Sequence, residues 1–193
     1  MGTTEAWGRS PTPFSRAARI AAVGATAVAL TVGLATSASA ATATRSVTVS
    51  GTTYNLSLTA PDSLSAAGQN ITVSGSGYNT LQGVYVGLCV IPEGVEPGNP
   101  STYTSRPTPC LGGADQSGTT GASHWVSNLG GGTVANSSVY GSGGSFGVSV
   151  HVNPNIAAGK VCGTDVDCAI VTRADHTGSS NRSYDVYLPV TFS

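Results

Sequence analysis

The sequence predicts an all-β fold, a two-sheet antiparallel sandwich, and three observations carry the prediction. Apolar and polar residues alternate at period two in several short segments, no 3.6-residue period occurs after residue 40, and Gly, Pro and Asn punctuate the segments. Composition agrees: the 193 residues include 26 Gly and 10 Pro, and 9% are charged, against the roughly 25% of a typical soluble domain. Abundant Ser, Thr, Gly and Val with few Glu, Lys and Met suits strands joined by turns and excludes an all-helical protein. Hydrophobic residues make up 39% of the chain, enough for the core of one domain.

Residues 1–40 read as a signal peptide. Arg9, Arg16 and Arg19 precede an uncharged stretch at residues 20–34, and Ala38, Ser39 and Ala40 supply the small residues of a cleavage site, so cleavage is expected after Ala40. The apolar run is shorter than the roughly 20 residues needed to cross a bilayer. No adjacent Arg pair precedes it, which favours the general secretory route over the twin-arginine one. The expected product is secreted and has no membrane attachment. Cleavage removes three Arg and one Glu and leaves five basic and eight acidic residues, a net charge of −3. Without a basic cluster to neutralise several phosphates, direct nucleic-acid binding is not expected. The mature chain is expected to be a monomer.

Residues 41–55 form either an extra edge strand, through Val47 and Val49, or a loose arm, and residues 56–193 form the domain. Its strands follow in order. Short segments at residues 56–59 and 71–74 come first. Val84, Val86, Leu88 and Val90 then occupy alternate places, as the buried face of a strand does. A segment at residues 123–127 is next, followed by Phe146, Val148, Val150 and Val152, again alternate, and by residues 169–172. Tyr184, Val186, Leu188, Val190 and Phe192 close the series. Seven strands result. Two long insertions interrupt them, a Pro-rich piece at residues 92–109 and a Gly/Ser-rich piece at residues 111–144, and loops of that length in a compact domain are usually functional or mobile.

Four cysteines, Cys89, Cys110, Cys162 and Cys168, fit an exported chain carrying two disulfides. Three pairings are possible. Pairing neighbours in sequence would close two short loops, worth about 2 to 3 kcal/mol each. A zinc site is not expected, because there is no Cys-x-x-Cys and His124, His151 and His176 are scattered. Gly143-Gly144-Ser145-Phe146-Gly147 matches a hydrolase nucleophile pattern, but a strand rather than a helix is predicted after the Ser, so a hairpin turn is the expected reading. Asp175 and His176 are chain neighbours with no Ser fixed beside them, and Asp165, Asp167 and Asp175 lack the regular spacing of a calcium loop. No catalytic residue, metal or cofactor is therefore assigned. Arg173 is expected either to pair with Asp175 or Asp185 or to anchor a ligand anion.

The segment Ile71-Thr-Val-Ser-Gly-Ser-Gly-Tyr-Asn79, the strand Val84-Tyr-Val-Gly-Leu-Cys89, the second cysteine Cys110 and the closing block from Val166 through Phe192 resemble the neocarzinostatin family. The resemblance covers residues 56–193. It implies an immunoglobulin-like sandwich with disulfides Cys89–Cys110 and Cys162–Cys168, and a non-enzymatic carrier that holds a small molecule in a cleft beside one sheet. That role is linked with antibiotic activity. The cleft positions it implies here are Ile91, Thr108, Gln116, Val171 and Arg173. Two of them, Ile91 and Gln116, stand where the family places aromatic rings, so an enediyne is not the expected cargo and a small apolar or aromatic ligand held non-covalently is. Trp125 is a candidate replacement ring, or an ordinary inward-facing strand residue. The alternative function is an extracellular or cell-surface structural protein with no small ligand.

Overall fold

The computed structural model describes residues 39–113 and 118–193. Residues 1–38, most of the stretch read as a signal peptide, and the candidate residue Gln116 lie outside the described residues. Among the described residues no helix is long and apolar enough to cross a membrane. The fold begins with a long hairpin of β1 (Ala40–Val49) and β2 (Thr52–Pro61), joined in full register from Ala40 opposite Pro61 to Val49 opposite Thr52. Ser50 and Gly51 make the connection with φ of 49° and 83°. Two consecutive left-handed residues form the tight turn whose twist matches the flanking strands, and Gly51 adopts that conformation without a Cβ penalty.

Short β3 (Ser63–Leu64) leads to β4 (Gln69–Ser76), β5 (Val84–Val90), β6 (Ser123–Val126) and β7 (Ser137–Ser138). Then follow β8 (Phe146–Val152), β9 (Asn155–Ala157), β10 (Lys160–Val161), β11 (Cys168–Ala174), β12 (Val186–Pro189) and β13 (Thr191–Phe192). A four-stranded sheet has the order β1-β2-β4-β8, and a five-stranded sheet the order β12-β11-β5-β6-β7. The seven strands expected from alternation are β2, β4, β5, β6, β8, β11 and the C-terminal run. That last run is broken at Val190, so β13 leaves the large sheet and pairs in parallel with β3. Residues 40–49 are an edge strand of the four-stranded sheet.

The two sheets bury their facing residues against each other. Leu56, Leu58, Val73, Val148 and Val150 come from the first sheet, and Val84, Val86, Leu88, Ile170 and Leu188 from the second. Each fully buried Leu, Ile or Val contributes about 1.5–3 kcal/mol. The disulfides are Cys89–Cys110 and Cys162–Cys168. All-β architecture, a sandwich of largely antiparallel sheets and the two local bridges are thus established.

The insertion at residues 92–109 does not stand out in solvent. It turns back over the outer face of the five-stranded sheet, where Val95 and Tyr103 join Cys89, Ala169, Val171 and Tyr187 in a second, smaller hydrophobic cluster. Tyr103 and Tyr187 meet edge to face with ring centres 4.8 Å apart.

Candidate ligand-binding site

The outer face of the five-stranded sheet is made by the residues that alternate with the core. Cross-strand pairing sets Tyr85 of β5 between Arg173 of β11 and Trp125 of β6, and sets Gly87 between Val171 and Ser123. Gly87 has no side chain to stand between its two neighbours. A Cβ placed there would lie 3.1 Å from the Ala122 carbonyl oxygen. The result is a narrow hollow lined by Tyr85, Gly87, Ser123, Val171 and Arg173 and closed on one side by the Cys89–Cys110 bridge and Gly113. It encloses about 10 Å³, the space of one water-sized sphere.

The rim of this hollow is cationic and aromatic. The Arg173 guanidinium lies over the Tyr85 ring, 5.4 Å from its centre, a cation–π arrangement. Burial, and next the positive charge of Arg106, lower the Arg173 pKa below its ordinary value, while Tyr85 and Asp185 act the other way. The group stays cationic near neutral pH. The Tyr85 hydroxyl meets His176 Nδ1 at 2.9 Å, and the His176 ring packs against Trp125.

The candidate residues fall in different places. Val171 and Arg173 line the narrow hollow together. Ile91 lines a second, wider hollow of about 550 Å³ with Val95, Pro97, Pro189 and Phe192, because the loop from Ile91 onward bends over the sheet and divides the expected cleft in two. Thr108 is exposed, just ahead of Cys110, and lines neither. Trp125 is buried, and its Nε1–H donates to Asp175 Oδ2 at 2.9 Å. Asp175, 1% exposed, also accepts from Gln82 and from the backbone N–H and hydroxyl of Thr177. It therefore takes no part with Arg173. Asp185 makes its ion pair with Arg182, at 2.9 Å, and reaches Arg173 only as a more distant charge. Tyr85 and Gly87 were not among the candidates. Their signal is the same alternation that marked Val84, Val86 and Leu88, read on the opposite face.

A third region joins the edges of the two sheets. Arg45 of β1 lies over Tyr103, 5.0 Å from the ring centre, and its Nη1–H donates to the Asp185 carbonyl at 2.8 Å. Asp185 is fully buried, and burial pushes its carboxyl up to about 7 against the pull of Arg182, Arg45 and Arg173. This arrangement ties strand to strand.

Ser145 closes a turn with Gly141 and is followed by β8, a strand. His176 directs Nδ1 to Tyr85, not to a serine.

The fold and this face define a disulfide-pinned β-sandwich with a narrow cationic hollow on the outside of its larger sheet. No protein-family model matches the chain, and no curated protein matches it. Among solved structures it is similar to macromomycin, at 19% identity and a TM-score of 0.39, over 79% of this chain and all of that one.

Proposed function

We propose that this chain is a secreted, non-enzymatic protein that binds a small molecule on the outer face of its five-stranded sheet and acts by sequestering it. The observation that carries the reading is the Gly87 hollow. Beside it the 92–109 insertion and the first disulfide cover the face, yet at Gly87 the covering stops and leaves apolar walls, an aromatic ring and a half-buried cation together. Convergence of a few polar groups on an apolar depression is the usual form of a small-molecule site. The hollow takes one end group of a ligand, and the ligand body lies across the face. Residues 1–40 supply the export signal, and the two disulfides suit an oxidising destination. A bond from His176 to Tyr85 and a carboxylate on Asp175 committed to Trp125 and Thr177 favour a structural use of the only Asp–His neighbours over catalysis.

Native mass spectrometry of the protein purified from the culture medium of its own producer tests the proposal. A non-covalent adduct that disappears in Gly87→Leu supports it. An adduct unaffected by that change places binding elsewhere. A second reading, an extracellular contact protein without a small ligand, is favoured by one feature, the exposed Leu129, Val134 and Val139 on the loop between β6 and Tyr140. Ligand-free protein that pulls down a macromolecular partner through that loop would decide for it.

A further inference from the structure

Five cations follow residue 40, and the four described away from Lys160 are used unequally. Arg45 donates to the carbonyls of Arg182 and Asp185, and Arg182 pairs with Asp185 and donates to the carbonyls of Ser179 and Ser180. Arg173 has neither a carboxylate nor a carbonyl acceptor among the described residues, although its side chain is partly buried at the hollow. Among the described residues its guanidinium meets the Tyr85 ring alone, a contact that uses none of its five N–H donors as hydrogen bonds. Arg106, exposed on the covering insertion, stands near enough to repel it. A partly buried guanidinium that the Arg106 charge repels, with no hydrogen-bond acceptor among the described residues, gains from an anion that takes its free donors.

The geometry points to a small molecule bearing a carboxylate on a flat apolar body, with Arg173 as the anchor of the carboxylate. The inference rests on the binding-face reading above and narrows it to a ligand class. A guanidinium presents two parallel N–H groups to a carboxylate and forms charge-assisted bonds stronger than neutral ones. The hollow over Gly87 is the right size for one carboxylate oxygen and too small for a ring. The rest of the molecule then lies against Val171, the Cys89–Cys110 bridge and the exposed side of Tyr85. Because Arg173 is already stacked on Tyr85, its fork is held in place before the ligand arrives, and little side-chain entropy is lost on binding.

The experiment compares three probes of one shape: 2-naphthoate, its methyl ester and 2-naphthylmethylamine, titrated into the secreted protein with backbone amide shifts and calorimetry as readouts. The expected result is that naphthoate shifts the Gly87, Val171 and Arg173 amides, binds about tenfold or more tightly than the ester, and weakens as salt rises. Arg173→Met should reduce naphthoate to the affinity of the ester while the melting temperature holds, and Arg173→Lys should restore part of the difference. Ester or amine binding at the same amides as tightly as the acid would overturn the anion inference and leave the binding face intact. Failure of all three probes to move those amides would overturn both.

Discussion

On the inner face of the five-stranded sheet Val84, Val86, Leu88, Ile170 and Leu188 are all at most 2% exposed and packed against the opposite sheet, and the one polar side chain of β11 on that face, Thr172, is bonded to Tyr78 and to the Tyr184 carbonyl. On the outer face of the same strands stand Tyr85, Gly87, Cys89, Val171 and Arg173. A lone sheet face turned to water is ordinarily polar. This one is covered over half its width: an insertion carrying Val95 and Tyr103 lies on the half near Tyr187, and a disulfide pins the insertion down. The comparison teaches that the insertion makes a second, thinner layer of core, and that the Gly87 hollow is the place where this layer ends.

The difference between the faces can be broken by substitution, beginning with the largest effect. Ile170→Ala on the inner face should cost about 2–5 kcal/mol in urea unfolding, since a fully buried aliphatic is lost and a cavity remains. The double change Cys89→Ala with Cys110→Ala should cost about 3 kcal/mol and speed hydrogen exchange in residues 92–109 while leaving the inner-face strands protected. Equal loss of protection in both layers would show that they are one cooperative unit. Trp125→Phe removes the N–H that satisfies buried Asp175, and a loss of about 1–3 kcal/mol is expected in thermal unfolding.

A pH-dependent effect comes from the edge where β1 meets β12. Asp185 has its folded pKa raised to about 7, whereas the unfolded carboxyl titrates near 4. Between those values the folded chain holds the additional proton, so stability should fall as pH rises from about 4 to about 7, by no more than about 1.4 kcal/mol per pH unit. Melting curves across that range check the sign, and Asp185→Asn should flatten them. A rise in stability with pH through the same window would mean that Arg182 and Arg45 outweigh burial.

Much of the fold was legible because alternation is a local property. Val84 through Val90 and Phe146 through Val152 announce their buried faces within seven residues each, and the strands so found assemble as the two sheets. The break at Val190 was not visible, because the alternation continues through it from Tyr184 to Phe192 while the backbone changes partners. The site was less legible for a related reason. Val95 and Tyr103 sit in a Pro-rich loop without periodicity, so nothing in their spacing shows that they close over Val171 and part Ile91 from Arg173. The bond between Trp125 and Asp175 joins residues 50 apart, and their pairing depends on β6 and β11 flanking β5 on either side. Val171 and Arg173, positions that the family resemblance implies, share a strand two places apart and so fall on one face.

The central claim is that ligand recognition belongs to the outer face at Gly87. Mapping amide shifts on the purified protein as 2-naphthoate is added tests this most directly. The account predicts shifts concentrated at residues 85–89, 123 and 171–173, and their loss in Gly87→Leu. Shifts centred instead on the wider hollow around Ile91, Pro189 and Phe192, unaffected by Gly87→Leu, would contradict it.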